Sequence, residues 1–480
     1  MLWLALRFPL LPLEVYARAG RTANPLAIAT TSGSRSEVIA CNDSASKCGV
    51  RPGMPVAAAA ALAADLNIAP RDPLAERAAL ERIAGWAHQF TPVVAIAEPA
   101  EVLLEIEGSL ALYGGLTRLW NAIAQAMSAL GYAASIACAP TPLAAQWFAR
   151  AGLAVRLRHA DALHSSLPDL PVDVMDVEPE AQILLHNIGA TTVGECLKLP
   201  RDGVARRLGP DFVDNLDRAL GRLPDPRRLF TPPVVFKATQ PLPAPAREAD
   251  MLLFCARRML VELCGYLAAT ERGVQRLAFC FAHHRREPTR ITLTLVQATR
   301  DPDHLTNVLR ERLDRTALPC AATEIALESE LILPLARESQ SFLPEAGRHT
   351  EAAAQLIERL RARLGEKAVS GLKRFSDHRP ERAWHVCEPG STDAGTVSAL
   401  ARRPLWLLAH PRPLPETGEV PYYDGKLDLL VGPERIESGW WDGNDVMRDY
   451  FVAANSEDAL LWIYRERASG GRWFLHGFFA

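Results

Sequence analysis

Apolar positions over residues 2–8 alternate loosely and are dense enough for a buried strand, and 93–97 with 102–107 predict a strand pair around the turn Glu98–Glu101. Helical spacing over 120–130, a strand at 133–139 and a second helix at 143–151 complete a mixed sheet with helices on one face, the α+β layout. Between the first strand and the pair, residues 25–75 read as a small insertion, alanine-rich around a helix at 56–66. From 165 to 230 the pattern breaks into short helical segments. Residues 184–199 read as a helix end, a tight turn at Ile188-Gly189, and a new helix capped by Thr191 or Thr192. This is the pattern of a helix-hairpin-helix, whose turn N–H groups face a phosphate; an ordinary helical hairpin with a glycine C-cap reads the same. A helix at 251–269, strands at 276–281 and 289–296, a helix at 302–315 and a strand at 323–329 suggest a second α+β unit in βαββαβ-like order. Residues 336–350 read as an exposed linker, 351–364 as a helix, 376–420 as Pro-rich and irregular, and 421–480 as strand-like and aromatic.

Composition turns this string into several domains. A chain of 480 residues exceeds one ordinary core, and 49% hydrophobic with 23% charged residues suits a globular protein. With 53 Lys+Arg against 56 Asp+Glu the formal charge is -3, which excludes a uniformly basic coat protein, so any polyanion site must be local. Residues 251–320 hold eleven Arg, no Lys and seven acids, whereas 151–200 carry a net charge of -4. Arg276, Arg285, Arg286, Arg290 and Arg300 lie on or beside predicted strands, where they could track a phosphate backbone. In a chain with only six Lys, a solvated Arg-rich surface is the alternative. Nine scattered cysteines without a CxxC pair argue against a disulfide framework or structural zinc. The longest apolar run, nine residues from Val56, is too short for a membrane span. The start lacks a basic n-region and is broken by Arg7, Pro9 and Pro12, so a strand and a cytoplasmic, nucleoid-associated protein are expected. Six of the ten tryptophans follow residue 383, including Trp440-Trp441, which predicts a separate core or a partner surface there.

The element order, with NDSASKCGVRPGMP at 42–55, EGS at 107–109 and SIACAPTPLAA at 135–145, resembles the Y-family translesion DNA polymerases over about residues 1–335. The tail segments GPERIESGWWDGNDVMRDYF at 432–451 and RWFLHGFF at 472–479 resemble the C-terminal region of polymerase-like accessory proteins of bacterial induced mutagenesis. The resemblance implies an α+β multi-domain right hand. Its parts would be a palm at 1–165 with a fingers insertion at about 22–75, a helix-hairpin-helix thumb at 166–230 and a little finger at 235–332. A linker at 333–350 and an aromatic-rich, partner-binding region at 351–480 would follow.

Nucleotidyl transfer requires two divalent ions held by clustered carboxylates, since hard cations want charged oxygen ligands. In the family the cluster is an Asp in the first strand and an Asp-Glu pair at the hairpin. The resemblance puts Ala5 and Arg7 at the two acids of the first-strand motif, and Ala100 and Glu101 at the pair. Only Glu101 keeps a carboxylate. The triphosphate-gripping positions correspond to Asp43, Ser46 and Pro142, with Lys47 the one cation left nearby, and the ribose-screening aromatic corresponds to Leu10. No cofactor is therefore expected, Mg²⁺ entering only if Glu105 or Glu107 substitutes beside Glu101 in an active polymerase.

What the resemblance leaves in place is DNA holding, through the turn at Ile188, Gly189, Ala190, Thr191 and Thr192 and through the Arg-rich little finger. Gln340, Ser341, Phe342 and Leu343 resemble the peptide by which polymerases dock on the sliding clamp. The expected partners are DNA, the clamp, an error-prone C-family DNA polymerase and a RecA-like ImuA partner, the last two reached through residues after 350.

Overall fold

A computed structural model describes residues 1–17, 24–33, 35–335, 345–389, 403–467 and 470–479. The chain forms two units, Met1–Arg363 and Leu364–Ala480.

Strand β1 (Trp3–Arg7) is followed by α1 (Leu11–Ala17) and a small subdomain of β2 (Leu26–Ser32), β3 (Arg35–Cys41), α2 (Asp43–Lys47), α3 (Val56–Leu62) and β4 (Asn67–Pro70). Its sheet, ordered β3-β2-β4, was not legible in an insertion whose only clear period is helical. Then come α4 (Pro73–Ala87), β5 (Val94–Ala97), β6 (Glu101–Glu105), α5 (Leu116–Leu130), β7 (Ser135–Ala139) and α6 (Pro142–Arg150). The central sheet is ordered β5-β6-β1-β7 and every pairing in it is antiparallel, so the expected mixed sheet is corrected. Helices also cover both of its faces rather than one. Leu4, Leu6, Val102 and Leu104 pack with residues of α4 and α5, while Trp3, Ala5, Leu103 and Ala137 pack with residues of α6. The reason is in the strands: successive residues of β1 are apolar on alternate sides, so each face has to be buried.

The hydrophobic cluster on the α6 side continues into α7 (Asp161–Ser166), α8 (Pro179–Asn187), α9 (Val193–Lys198), α10 (Arg201–Leu208) and α11 (Pro210–Ala219). The chain between α8 and α9 turns at Gly189, whose φ of 80° is the left-handed conformation glycine tolerates, and Thr192 caps α9.

Next, β8 (Lys237–Ala246), α12 (Ala249–Ala269), β9 (Arg272–His283), β10 (Arg286–Thr299), α13 (Pro302–Leu313) and β11 (Ala322–Pro334) realise the βαββαβ order as a sheet ordered β10-β9-β11-β8. Its inner face, including Leu277, Phe279, Phe281, Ile291 and Leu327, packs with residues of α12 and α13. Helix α14 (Glu345–Leu364) begins six residues before the expected boundary, so only part of 336–350 is left to a linker. Glu358 is almost wholly buried, bonds His304, and accepts the Val296 N–H at 2.6 Å. The peptide Gln340, Ser341, Phe342 and Leu343 lies outside the described residues.

The second unit pairs β12 (Gly371–Arg374) with β13 (Trp384–Cys387). After β14 (Trp406–Pro413) and the short β15 (Glu416–Thr417) and β16 (Val420–Pro421), it builds β17 (Asp428–Ser438), β18 (Val446–Ala454), β19 (Leu460–Glu466) and β20 (Trp473–Phe478). Strands β14, β20, β19, β18 and β17 form one antiparallel sheet in that order. The reading of 376–420 as irregular is corrected by β13, β14, β15 and the start of β16: proline forbids helix but not extended backbone. Both sheet faces are apolar, with Leu461, Ile463 and Leu475 on one side and Tyr450, Trp462 and Tyr464 on the other. Trp462 and Trp473 are core residues, whereas Trp384, Trp406, Trp440 and Trp441 are exposed.

Candidate functional site

The register of the central sheet sets Ala5 opposite Leu103 and Arg7 opposite Glu101. Ala5 has no exposure and sits in the apolar cluster with Trp3, Leu103 and Trp147. Glu101 is also fully buried, and its carboxylate is saturated. Arg150 Nε donates to Oε1 at 2.6 Å and Nη2 to Oε2 at 2.9 Å, Gln146 Nε2 to Oε2 at 2.6 Å, and Arg7 Nη1 to Oε1 at 3.1 Å. A third donor of the same guanidinium, Arg150 Nη1, is anchored on the Val174 carbonyl at 3.1 Å. Gln146 and Arg150 lie one turn apart on α6, on the face turned to the sheet. Two guanidinium charges thus stand where a metal site needs open carboxylate oxygens, and a divalent ion would have to displace a bidentate arginine from a buried acid. The donor set does not fit a two-metal site.

The substitutes do not repair it. Glu105 lies four residues along β6, about 13 Å from Glu101 at the usual strand rise, and accepts the Leu2 N–H at 3.2 Å. Glu107 lies beyond the strand in an exposed turn. Among the described residues no group of three or more His, Cys, Asp or Glu is arranged to hold a metal ion. In the insertion, Asp43 opens α2 under an Asn42 cap, and Ser46 Oγ accepts from Arg51 at 2.9 Å. Arg51 is a cation missed beside Lys47, so Lys47 is not the one left nearby. Pro142 is the first residue of α6 and offers no charge. Arg150 and Gln146 were also missed; the signal available was a polar pair at i, i+4 in the otherwise apolar helix PLAAQWFAR.

At the α8–α9 turn the expected open N–H groups are occupied. Ile188, Gly189 and Ala190 donate to carbonyls of α8, and Val193 to Leu170. Thr191 and Thr192 donate to the Glu195 carboxylate at 2.7 and 2.9 Å, while Thr192 Oγ1 accepts the Glu195 N–H at 3.2 Å, a reciprocal capping box. These N–H bonds hold the Glu195 carboxyl below the usual carboxylate range. The expectation of an open phosphate seat at 188–192 is corrected: an internal carboxylate fills it.

On the outer face of the β10-β9-β11-β8 sheet, Arg276 and Arg290 both pair with Glu330, at 2.9 and 2.5 Å, and Lys237 pairs with Glu328 at 2.7 Å. That face is not an uncompensated positive stripe. Arg285 and Arg286 stand exposed at the β9–β10 turn, and Arg300 is exposed beyond β10. In the second unit Trp440 and Trp441 are 80% and 58% exposed. Their loop is pinned by Arg379, which is almost wholly buried and donates to Asp377, Asp442 and the Asn444 carbonyl. This pairing pushes the Asp442 carboxyl down to about 2.

Among known proteins, residues 15–150 match the impB/mucB/samB family, IMS. Protein ImuB of Caulobacter vibrioides strain NA1000 / CB15N is 28% identical over 458 residues, covering 90% of this chain and all of the relative, and the protein of strain ATCC 19089 / CIP 103742 / CB 15 aligns equally. Solved structures that resemble this one include DinB from Sulfolobus solfataricus, at TM-score 0.40 and 15% identity over 69% of this chain and 98% of that one. The insertion ternary complex of Dbh DNA polymerase gives TM-score 0.41 and 16% identity over 70% of this chain and 100% of that one. The chain is thus similar to the impB/mucB/samB family over residues 15–150 and to Protein ImuB along nine-tenths of its length.

Proposed function

We propose that this chain is a non-catalytic, polymerase-like scaffold of damage-induced translesion synthesis. It binds primer-template DNA and the sliding clamp and brings in an error-prone C-family polymerase, with a RecA-like ImuA partner. The similarity to Protein ImuB and the impB/mucB/samB match support the setting. The observation that carries the non-catalytic reading is Glu101, the one retained carboxylate, buried and neutralised by Arg7 and Arg150. DNA is assigned chiefly to the β9–β10 turn with Arg285 and Arg286, and to Arg276, Arg290 and Arg300. The turn at 188–192 takes a phosphate only where Glu195 gives way.

Primer extension by the purified chain with Mg²⁺ or Mn²⁺ is expected to yield no template-dependent product. Template-dependent synthesis that vanishes in Glu101→Ala, with the variant still folded by its melting curve, would sink the scaffold reading in favour of an active polymerase with altered metal ligands. For DNA, Arg285→Ala with Arg286→Ala is expected to weaken binding and flatten its salt dependence by about two phosphate contacts. For the clamp, Phe342→Ala with Leu343→Ala is expected to abolish pull-down; for the tail partners, chains truncated near residue 350 are expected to lose co-purification.

A further inference from the structure

We propose that the helical segment 176–212 carries a docking groove for a basic amphipathic helix of a protein partner, a role beyond DNA holding and independent of whether the palm is catalytic. Two adjoining clefts form it. One, of about 960 Å³, is lined by Asp176, Glu178, Glu180 and Asp211 against the single cation Arg207. The other, of about 250 Å³, is lined almost wholly by apolar groups, among them Ile188, Leu199 and Val204. Leu184, Arg207 and Leu208 line both, so the two are continuous.

The polarity of the groove follows from α8. Glu180, Leu184 and Ile188 recur at i, i+4 and i+8, so one ridge runs from the acidic end to the apolar end over about 12 Å, two turns of a facing helix. Ile188 is 49% exposed, and on the same helix Ile183 is 62% exposed, more apolar surface than a solvated hairpin needs. Among the described residues Glu178, Glu180 and Asp211 make no ion pair within the chain, so their charge is available to an incoming cation. Residues 176–200 supply -3 of the -4 carried by residues 151–200.

Nucleic acid is the wrong occupant. Three exposed acids repel phosphates, and the neighbouring turn N–H groups that would attract one are held by Glu195. A helix with apolar residues at i, i+3, i+4 and i+7 and lysine or arginine toward one end matches both halves of the groove.

The test uses the full chain and a fluorescein-labelled Leu/Lys peptide of about 18 residues with leucines at helical spacing. Saturable binding is expected, and it should fall at least about tenfold in Glu178→Lys with Glu180→Lys, and separately in Ile188→Asp; tenfold is about 1.4 kcal/mol. All three positions are exposed, and an unchanged melting curve confirms the fold of each variant. Equal binding of the same composition with leucines at every second position, or affinity unchanged in both variants, overturns the proposal. So does displacement of the peptide by duplex DNA whose own binding is lost in Ile188→Asp, which would make the surface a nucleic-acid contact.

Discussion

At the scale of single residues, the first unit buries an acid whose carboxylate is fully engaged by its neighbours. Glu101 accepts from two arginines and a glutamine with no exposure to water, so its removal leaves Arg150 without its bidentate partner in a mostly buried position. Glu101→Ala is therefore expected to cost about 3–5 kcal/mol of stability in denaturant unfolding, because an uncompensated buried charge remains. A change of a few tenths would mean that the network is solvated. A second buried group sets the pH range of the C-terminal unit. His476 lies against Tyr450 and Trp462, its Nδ1 bonded to the Tyr450 hydroxyl at 2.8 Å, with Glu381 and Arg448 the charged groups that face it. Burial pushes its pKa down to about 4. Between that value and the unfolded value of about 6.5 the unfolded chain takes a proton that the folded unit refuses, so stability is full above this window and falls as pH drops through it. Tryptophan fluorescence in urea should show a lower midpoint at about pH 5 than at pH 7, and a flat midpoint would contradict the assignment.

At the scale of elements, the α8–α9 turn shows how local pattern and local chemistry can diverge. Gly189 and the threonine cap are legible because a positive φ and an N-cap each select few residue types. Thr192 and Glu195 also have the spacing of a capping box, yet the sequence does not say whether the carboxylate folds back or leaves the N–H groups to a phosphate. The structure decides for the carboxylate. Glu195→Gln removes the negative charge from the turn, so DNA affinity at low salt is expected to rise and the salt slope to steepen by about one phosphate contact. An unchanged slope would show that the turn stays off the DNA. The outer face of the second sheet teaches the same lesson: the arginines of β9 and β10 stand out in sequence, but Glu330, 54 residues from Arg276 and 40 from Arg290, meets both across the strands.

At the scale of the whole molecule, the first unit is held together by a close helix crossing. Gly265 of α12 has room for no side chain, since a Cβ there would run into the Trp86 indole and approach Gln89 Nε2 to 2.8 Å. Beside it, Arg82 of α4 reaches the fully buried Glu262 at 3.2 Å. Gly265→Ala is expected to destabilise this unit by about 1–3 kcal/mol, read as a lower melting temperature, because the crossing must open to admit a methyl group. Unaltered melting would show that the crossing is loose.

Sequence by itself determined the succession of elements, since periods of two and 3.6, turn glycines and caps are local quantities. It also set Ala5 and Ala100 at positions where the resemblance to the polymerases implies carboxylates. It also located the acidic 151–200 and the arginine-rich 251–320 stretches. Tertiary structure alone decided which charges meet. Arg150 reaches Glu101 from 49 residues away, and Asp442 reaches Arg379 from 63. It likewise decided that both faces of the central sheet are covered and that acids and apolar groups of α8, α10 and α11 line one groove. Composition counts charges, but only a fold sets the distances on which pairing, neutralisation and binding depend.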